Sequence, residues 1–362
     1  MHAIVHIGAP KAGSTSIQQA MRLNRTALER QGIHPYIPAT GQMGRALSAR
    51  FRSDRKRLLP DMRLRFESTK QMQAWSARCW EELAQEVRHE RPNVTLLSSE
   101  HFVNLPHPEM FIDELRTIFS DITVIAYIRD PVAQYASQID QWIRGGARLQ
   151  HLKTPLEFRY YGQMQLGEYL GLLDRDHIVV RNFDQANLAE GDVVHDFFRQ
   201  LGGILARPVA LDEVPPRANE SMCGAVSAWL LTVNETFDQH GTGDANTIRL
   251  RRELFKRLRR DATLAALPRL KLTDADLVAL IRHNAREKCI WFNETFLDGQ
   301  PPFDIAPAPM HIPDNAELRT RMRSWILGYL TPEHLELVLA AVVPDADPGP
   351  VPQQRASLSW QP

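Results

Sequence analysis

Near the N-terminus, two glycines, a lysine and three hydroxyl residues fall within nine positions, Gly8-Ala-Pro-Lys11-Ala-Gly13-Ser14-Thr15-Ser16. The apolar run Ala3–Gly8 leads into the first glycine, and helical spacing begins at Ser14 and continues to Arg30 through Ile17, Ala20, Met21 and Leu28. A strand that turns tightly into a helix points backbone N–H groups at one spot, with the positive end of the helix dipole behind it. Ser14, Thr15 and Ser16 add hydroxyl donors, and Lys11 adds a point charge. Pro10, Lys11, Ala12, Gly13, Ser14, Thr15 and Ser16 therefore make a candidate anion site suited to a phosphate with two or three charges. The plain alternative is a glycine-bearing turn that binds nothing.

Gly8 and Gly13 have the spacing of the triphosphate loop G-x-x-x-x-G-K-[ST], but Ser14 stands where that pattern needs lysine. Triphosphate sites use their lysine and Mg²⁺ together on the β/γ charge. With the lysine moved inside the loop, ATP-driven phosphoryl transfer is disfavoured. A nucleotide kinase with a displaced lysine stays as a second reading, and a non-catalytic nucleotide-binding protein as a third.

A second polar cluster follows the strongest strand signal, Ile122–Ile128. Arg129 closes the run, Asp130 can cap the next helix and Pro131 can open it. Ser137 comes eight residues after Arg129, about two helical turns on. A guanidinium with a nearby hydroxyl is a plausible second phosphate clamp. Ser98-Ser99-Glu100-His101 follows another apolar run, Val94–Ser99, so Glu100 or His101 could serve as a general base at the same sheet edge.

The elements that must position these groups read as an α/β fold, a parallel sheet flanked by helices. Short apolar runs alternate with amphipathic stretches, including a helix over Glu109–Ser120, a strand over His177–Arg181, and a helix over Asp192–Leu201 ending at Gly202-Gly203. From Ser221 onward helical patterns dominate. The division expected is an α/β domain over 1–305, with a helical insertion at 41–90 and a helical part at 221–305. A helical extension follows over 306–343, and 344–362 is a proline-rich flexible tail.

Composition bounds the function. The 362 residues carry 43 basic and 43 acidic side chains, a zero balance that argues against a nucleic-acid-coating protein. Three cysteines and no CxxC pair point to a reducing, cytoplasmic setting without a disulfide framework, and no secretory signal or transmembrane run is evident. Two basic stretches, Arg45–Arg65 and Arg249–Arg260, read as solvated faces or as surfaces for an anionic acceptor. In the second, Leu250, Leu254 and Leu258 form one stripe. Arg181 could touch an acceptor or pair structurally. Trp142, Trp229 and Trp291 read as core aromatics, while Trp142, Tyr160 and Tyr161 could stack on sugar rings. Nothing in the sequence sets the oligomeric state.

Pro10-Lys11-Ala12-Gly13-Ser14-Thr15 resembles the 5′-phosphosulfate loop of sulfotransferases that use 3′-phosphoadenosine 5′-phosphosulfate (PAPS). Arg129-Asp130-Pro131 with Ser137 resembles their 3′-phosphate motif, including the eight-residue interval. The likeness covers about residues 1–201. Asn219-Glu-Ser221 and Trp291-Phe-Asn293 are weaker echoes of bacterial members. Ser14 replaces a second threonine, and Gln134 stands near where many members carry an extra arginine. The resemblance implies a P-loop-type fold with helical insertions and PAPS as co-substrate. It also implies sulfuryl transfer to a hydroxyl of a small molecule or glycan, and it favours Glu100 as base. It implies no metal, since Lys11 can bridge the leaving phosphate; His101 and His107 lack a carboxylate partner at helical spacing.

Overall fold

The computed structural model describes residues 1–8, 12–38, 43–52, 65–160, 162–215, 222–236, 245–307, 309 and 311–343. Pro10, Lys11, Arg55, Lys56, Arg57, Arg63, Tyr161, the 219–221 segment and the 344–362 tail lie outside them. The described chain divides into two compact units, one of residues 1–137, 155–218 and 274–313, the other of 138–154, 219–273 and 314–362.

The first unit holds the sheet. Its strands are β1 (His2–His6), β2 (Ile33–Pro35), β3 (Val94–Ser98), β4 (Asp121–Ile128) and β5 (Ile178–Asn182), all parallel, in the order β2-β3-β1-β4-β5. β3 is buried throughout, as are β1 and β4 beyond their first residues, and this is why they read as apolar runs. Between the strands come α1 (Ser14–Leu23), α2 (Arg25–Arg30), α3 (Met43–Ser48), α4 (Thr69–Glu90), α5 (Pro108–Arg116), α6 (Pro131–Arg144) and α7 (Gly162–Leu170). α8 (Val193–Ile204) follows β5.

Local chemistry moves several boundaries from their expected places. The helix expected over Ser14–Arg30 breaks at Asn24. Its amide donates to the carbonyls of Ala20 and Glu213 while its oxygen accepts from Glu213 N–H, so the side chain serves another segment. The first strand stops at His6, because Gly8 adopts φ +33°. The helix after β5 does not end at Gly202-Gly203. Asp192 caps its start through Val194 N–H, and it runs on to Ile204 before Ala206 turns left-handed at φ +50°. Gly202 is needed inside it, since a Cβ there would lie 3.0 Å from the Arg207 carbonyl oxygen.

A buried carboxylate organises the β4–β5 edge. Asp196 on α8 accepts from Tyr127 Oη at 2.9 Å, from Arg181 through Nε and Nη2 at 3.0 Å each, from Arg199 Nη2 at 3.1 Å and from Ala189 N–H at 3.1 Å. Arg181 is thus a structural partner, the second of its two expected roles.

The second unit contains α9 (Gly224–Thr236), α10 (Ala245–Arg260) and α11 (Ala262–Ala266). α12 (Ala275–Asn284) and α13 (Arg286–Thr295) return to the sheet unit, and α14 (Asn315–Leu327) and α15 (Pro332–Val342) complete the second. Asp140, near the end of α6, accepts from Ser227 Oγ on α9 and from Arg144, both at 2.7 Å. Gly224 lets the Tyr329 ring lie directly on α9, where a Cβ would overlap it. Leu250, Leu254 and Leu258 share one stripe of the basic helix α10, buried at Leu258 and open at Leu250, which is 64% exposed. Among the described residues, no helix is long and apolar enough to cross a membrane. The three cysteines are buried free thiols.

Two stability outcomes follow. Asp196→Ala strands a phenol, two guanidinium groups and a backbone N–H, and should cost about 3–5 kcal/mol in urea unfolding. His6 is fully buried, and burial pushes its imidazole down to about 3 from 6.5. Between pH 6.5 and 3 the unfolded chain therefore binds a proton that the folded chain refuses. Wild-type stability should fall as pH drops through that window, by up to about 1.4 kcal/mol per pH unit from this group. His6→Phe should lose that part of the slope in pH-dependent melts.

Candidate functional site

Three polar segments leave the carboxyl ends of three adjacent strands. β1 lies between β3 and β4, with His6 level with Ser98 on one side and Ile125 on the other. Gly8 and Glu100 each come two residues past that level, so their turns leave the sheet side by side. β4 continues to Ile128, and Arg129 follows four residues past Ile125. At about 3.3 Å per residue, Arg129 stands roughly 7 Å further along the strand direction than Gly8. The chain leaves β1 toward β3 and β2 but leaves β4 toward β5, so the two connections diverge. Such a divergence is where open parallel sheets form a ligand crevice.

Gly13 occupies the cap position of α1 with φ +82°, and a Cβ there would lie 2.7 Å from Val193 Cγ1 on α8. Only glycine meets both demands. Gly13 supplies no side-chain cap to α1, and no acidic residue lies in the first turn. Ala12 and Ser14 are buried, Gly13 and Ser16 are half-buried, and Thr15 is exposed.

The β3 turn that carries Glu100 is fastened from four sides. Ser98 Oγ meets His6 Nδ1 at 2.8 Å, and the Ser98 carbonyl accepts from Gln18 Nε2 on α1 at 2.9 Å. Ser98 N–H points to Met43 Sδ at 3.0 Å, and Ser99 N–H donates to the His6 carbonyl at 2.9 Å. Ser99 Oγ then accepts from His101 N–H at 2.9 Å, closing the turn under Glu100. Gly44 allows α3 to press on it, since a Cβ at 44 would overlap Ser99 Oγ. Glu100 and His101 are both half-buried.

At the β4 end, Asp130 Oδ1 accepts from the N–H groups of Val132 and Ala133 at 2.9 and 3.0 Å, capping α6 as expected. Burial pushes its carboxyl above the usual value, while the Ala133 N–H, the Arg282 charge and the Val132 N–H oppose the shift. The Arg129 guanidinium lies 5.8 Å from the Phe183 ring centre, and its carbonyl accepts from Tyr160 Oη at 2.7 Å. Ser137 is half-buried on the accessible side of α6 with Gln134 and Gln138.

Gly8, Glu100 and Arg129 thus follow the ends of three adjacent strands, and a Cβ on Gly8 would lie 3.7 Å from Ser14 Cβ. Tyr160 is not available to stack on a sugar, being buried edge-on to Phe292. Trp142, Trp229 and Trp291 are half-buried. Several arginines of the first basic stretch are structural. Arg50 pairs with Glu114 at 2.7 Å, Arg52 donates to the His101 and Asn104 carbonyls, and Arg65 stacks on Phe66 and Trp75. Among the described residues no His/Cys/Asp/Glu group has a metal-holding arrangement. Sequence reasoning missed Gln18, Gly44 and Val193, which act through contacts that only the fold creates. It also passed over His6, a polar residue in an apolar strand and so the one visible signal.

No protein-family model matches the chain, and no curated protein matches it. Among solved structures it is similar to the Sulfotransferase Domain from the Synechococcus PCC 7002 Olefin Synthase, at 13% identity and a TM-score of 0.29, over 69% of this chain and 82% of that one.

Proposed function

We propose that this protein transfers a sulfuryl group from PAPS to a hydroxyl acceptor of the carbohydrate class. The sheet register carries the reading. In it, Gly8, Glu100 and Arg129 follow the ends of adjacent strands. Their motifs are those that resemble the 5′-phosphosulfate loop, the Ser-Ser-Glu segment and the 3′-phosphate clamp. The offset between Gly8 and Arg129 is within the reach of one nucleotide.

In the reaction, the bond from sulfur to the 5′-phosphate oxygen breaks as a bond to the acceptor oxygen forms. The leaving 5′-phosphate of adenosine 3′,5′-bisphosphate gains charge, and stabilising that charge is the main electrostatic task. Lys11, the first-turn N–H groups of α1 and the Ser14 and Thr15 hydroxyls would do it. Pro10, Ala12 and Ser16 complete the loop, while Arg129 and Ser137 would hold the 3′-phosphate. The acceptor proton would pass to Glu100, with His101 as the neighbouring alternative.

Calorimetry with adenosine 3′,5′-bisphosphate and ATP in EDTA tests the donor site. Wild type should bind the bisphosphate without metal, and Arg129→Ala should bind it about 10- to 100-fold more weakly, as expected for losing a charged hydrogen-bond donor. ATP binding without bisphosphate binding overturns the reading. With PAPS and a responsive acceptor, Lys11→Ala should lower kcat about 100-fold or more. Glu100→Gln should lower kcat by about 10²- to 10⁴-fold, and His101→Gln should leave it near wild type. Wild-type turnover in Lys11→Ala rules out the assigned leaving-group role.

A further inference from the structure

A small cavity opens beside the Glu100 turn, on the β2 side of the sheet. Its walls are Gln18, Met21 and Arg22 from one face of α1, Ile37 and Pro38 from the segment after β2, and Met43 from the start of α3. Its empty space is about 230 Å³ with its mouth included, below the roughly 300–1,000 Å³ of a whole-ligand site. It therefore takes one part of a ligand. Met21, Pro38 and Met43 are buried, Ile37 and Gln18 are half-buried, and Arg22 is exposed, so the enclosed wall is mostly apolar. Water finds few partners against two thioethers, a proline and an isoleucine, whereas an apolar group gains by leaving water.

The cavity is built into the strand end that leads to Glu100. Pro35 is level with Leu96, so Ile37 comes level with Ser98. Ser98 N–H points to the sulfur of Met43 at 3.0 Å, and the Ser98 carbonyl accepts from Gln18 Nε2 at 2.9 Å. Two walls of the cavity thus hold both backbone groups of one residue, and Glu100 follows two residues later, within about 7 Å of chain. From β2 through β3 and β1 to β4, the sheet edge presents the cavity, the Glu100 turn, Gly8 and Arg129. That is the order in which the transfer needs an acceptor, a base, a leaving phosphate and a clamp on the far end of the donor. We propose that the cavity is an acceptor subsite for a methyl-bearing substituent of a sugar (N-acetyl, O-methyl or 6-deoxy), seated there while a neighbouring hydroxyl meets Glu100. This rests on the sulfuryl-transfer reading and narrows the acceptor within it: a plain hexose leaves the cavity unfilled.

Methyl NMR on the full chain with ¹³C-methyl methionine tests the cavity without any donor. Met21→Leu and Met43→Leu assign the two resonances. N-acetylglucosamine, L-fucose and methyl α-glucoside are titrated beside N-formylglucosamine, L-galactose and glucose, their partners without the methyl group. At least one methylated sugar should shift Met21 and Met43 while its partner leaves them unmoved, and the responding pair identifies the substituent. Ile37→Trp, which fills the space from its half-buried side, should abolish the shift while adenosine 3′,5′-bisphosphate binds as in wild type. With PAPS, the responding sugar should exceed its partner about tenfold or more in kcat/KM, the discrimination that one buried methyl group allows. Unmoved methionines with all six sugars, or equal shifts within every pair, overturn the proposal. Shifted methionines without sulfated product support the cavity and overturn the sulfuryl-transfer reading. Sulfation that is indifferent to the methyl group and to Ile37→Trp does the reverse.

Discussion

Every N–H and C=O of β1 has to find a partner on β3 or β4, because the strand is buried between them. That demand sets the register of three strands at once, and a slip by one residue would exchange the side chains packed against the two faces of the sheet. With His6 level with Ser98 and Ile125, the positions of Gly8, Glu100 and Arg129 are no longer independent. The secondary contacts reinforce this register. Gln18 holds the Ser98 carbonyl, Ser99 N–H holds the His6 carbonyl, and Val193 fills the space that a Cβ on Gly13 would occupy.

The strands of the inner sheet were legible because burial on both faces leaves a continuous apolar run, and β1, β3 and β4 each have one. β2 was not, being three residues long and ending in a proline. The turn chemistry at Asp130-Pro131 was legible because a cap acts within three residues. The break at Asn24 was not, since its cause lies at Glu213, far along the chain. Candidate site residues could be found by type and spacing along one strand–turn–helix. Their supports could not: Gly44 matters only because α3 crosses Ser99, and Met43 only because its sulfur meets Ser98 N–H.

Arginine has a second use in this protein beside charge. Arg52 donates to the carbonyls of His101 and Asn104, Arg148 to that of Asn234, Arg175 to those of Ile178 and Thr295, and Arg319 to those of Leu149 and Leu152. A guanidinium carries five N–H groups in a fixed fork and suits that task better than any other side chain. The arginine content is therefore partly architectural, and a reading of basic stretches as ligand surfaces overstates how much charge is free. On α10, Arg251 reaches the Arg144 carbonyl and Arg257 that of Val342.

Cys79, Cys223 and Cys289 are all buried, and burial holds each thiol above its ordinary value, the last to about 12. Thiolates are the reactive species toward maleimides and iodoacetamides, so near neutral pH the native protein offers such reagents almost nothing. A cysteine placed on an exposed position, such as Leu250 on α10, would then be the dominant reactive thiol without prior removal of the native three. Fluorophores or spin labels could be attached to the unaltered core, and any labelling of the native thiols would itself report local opening.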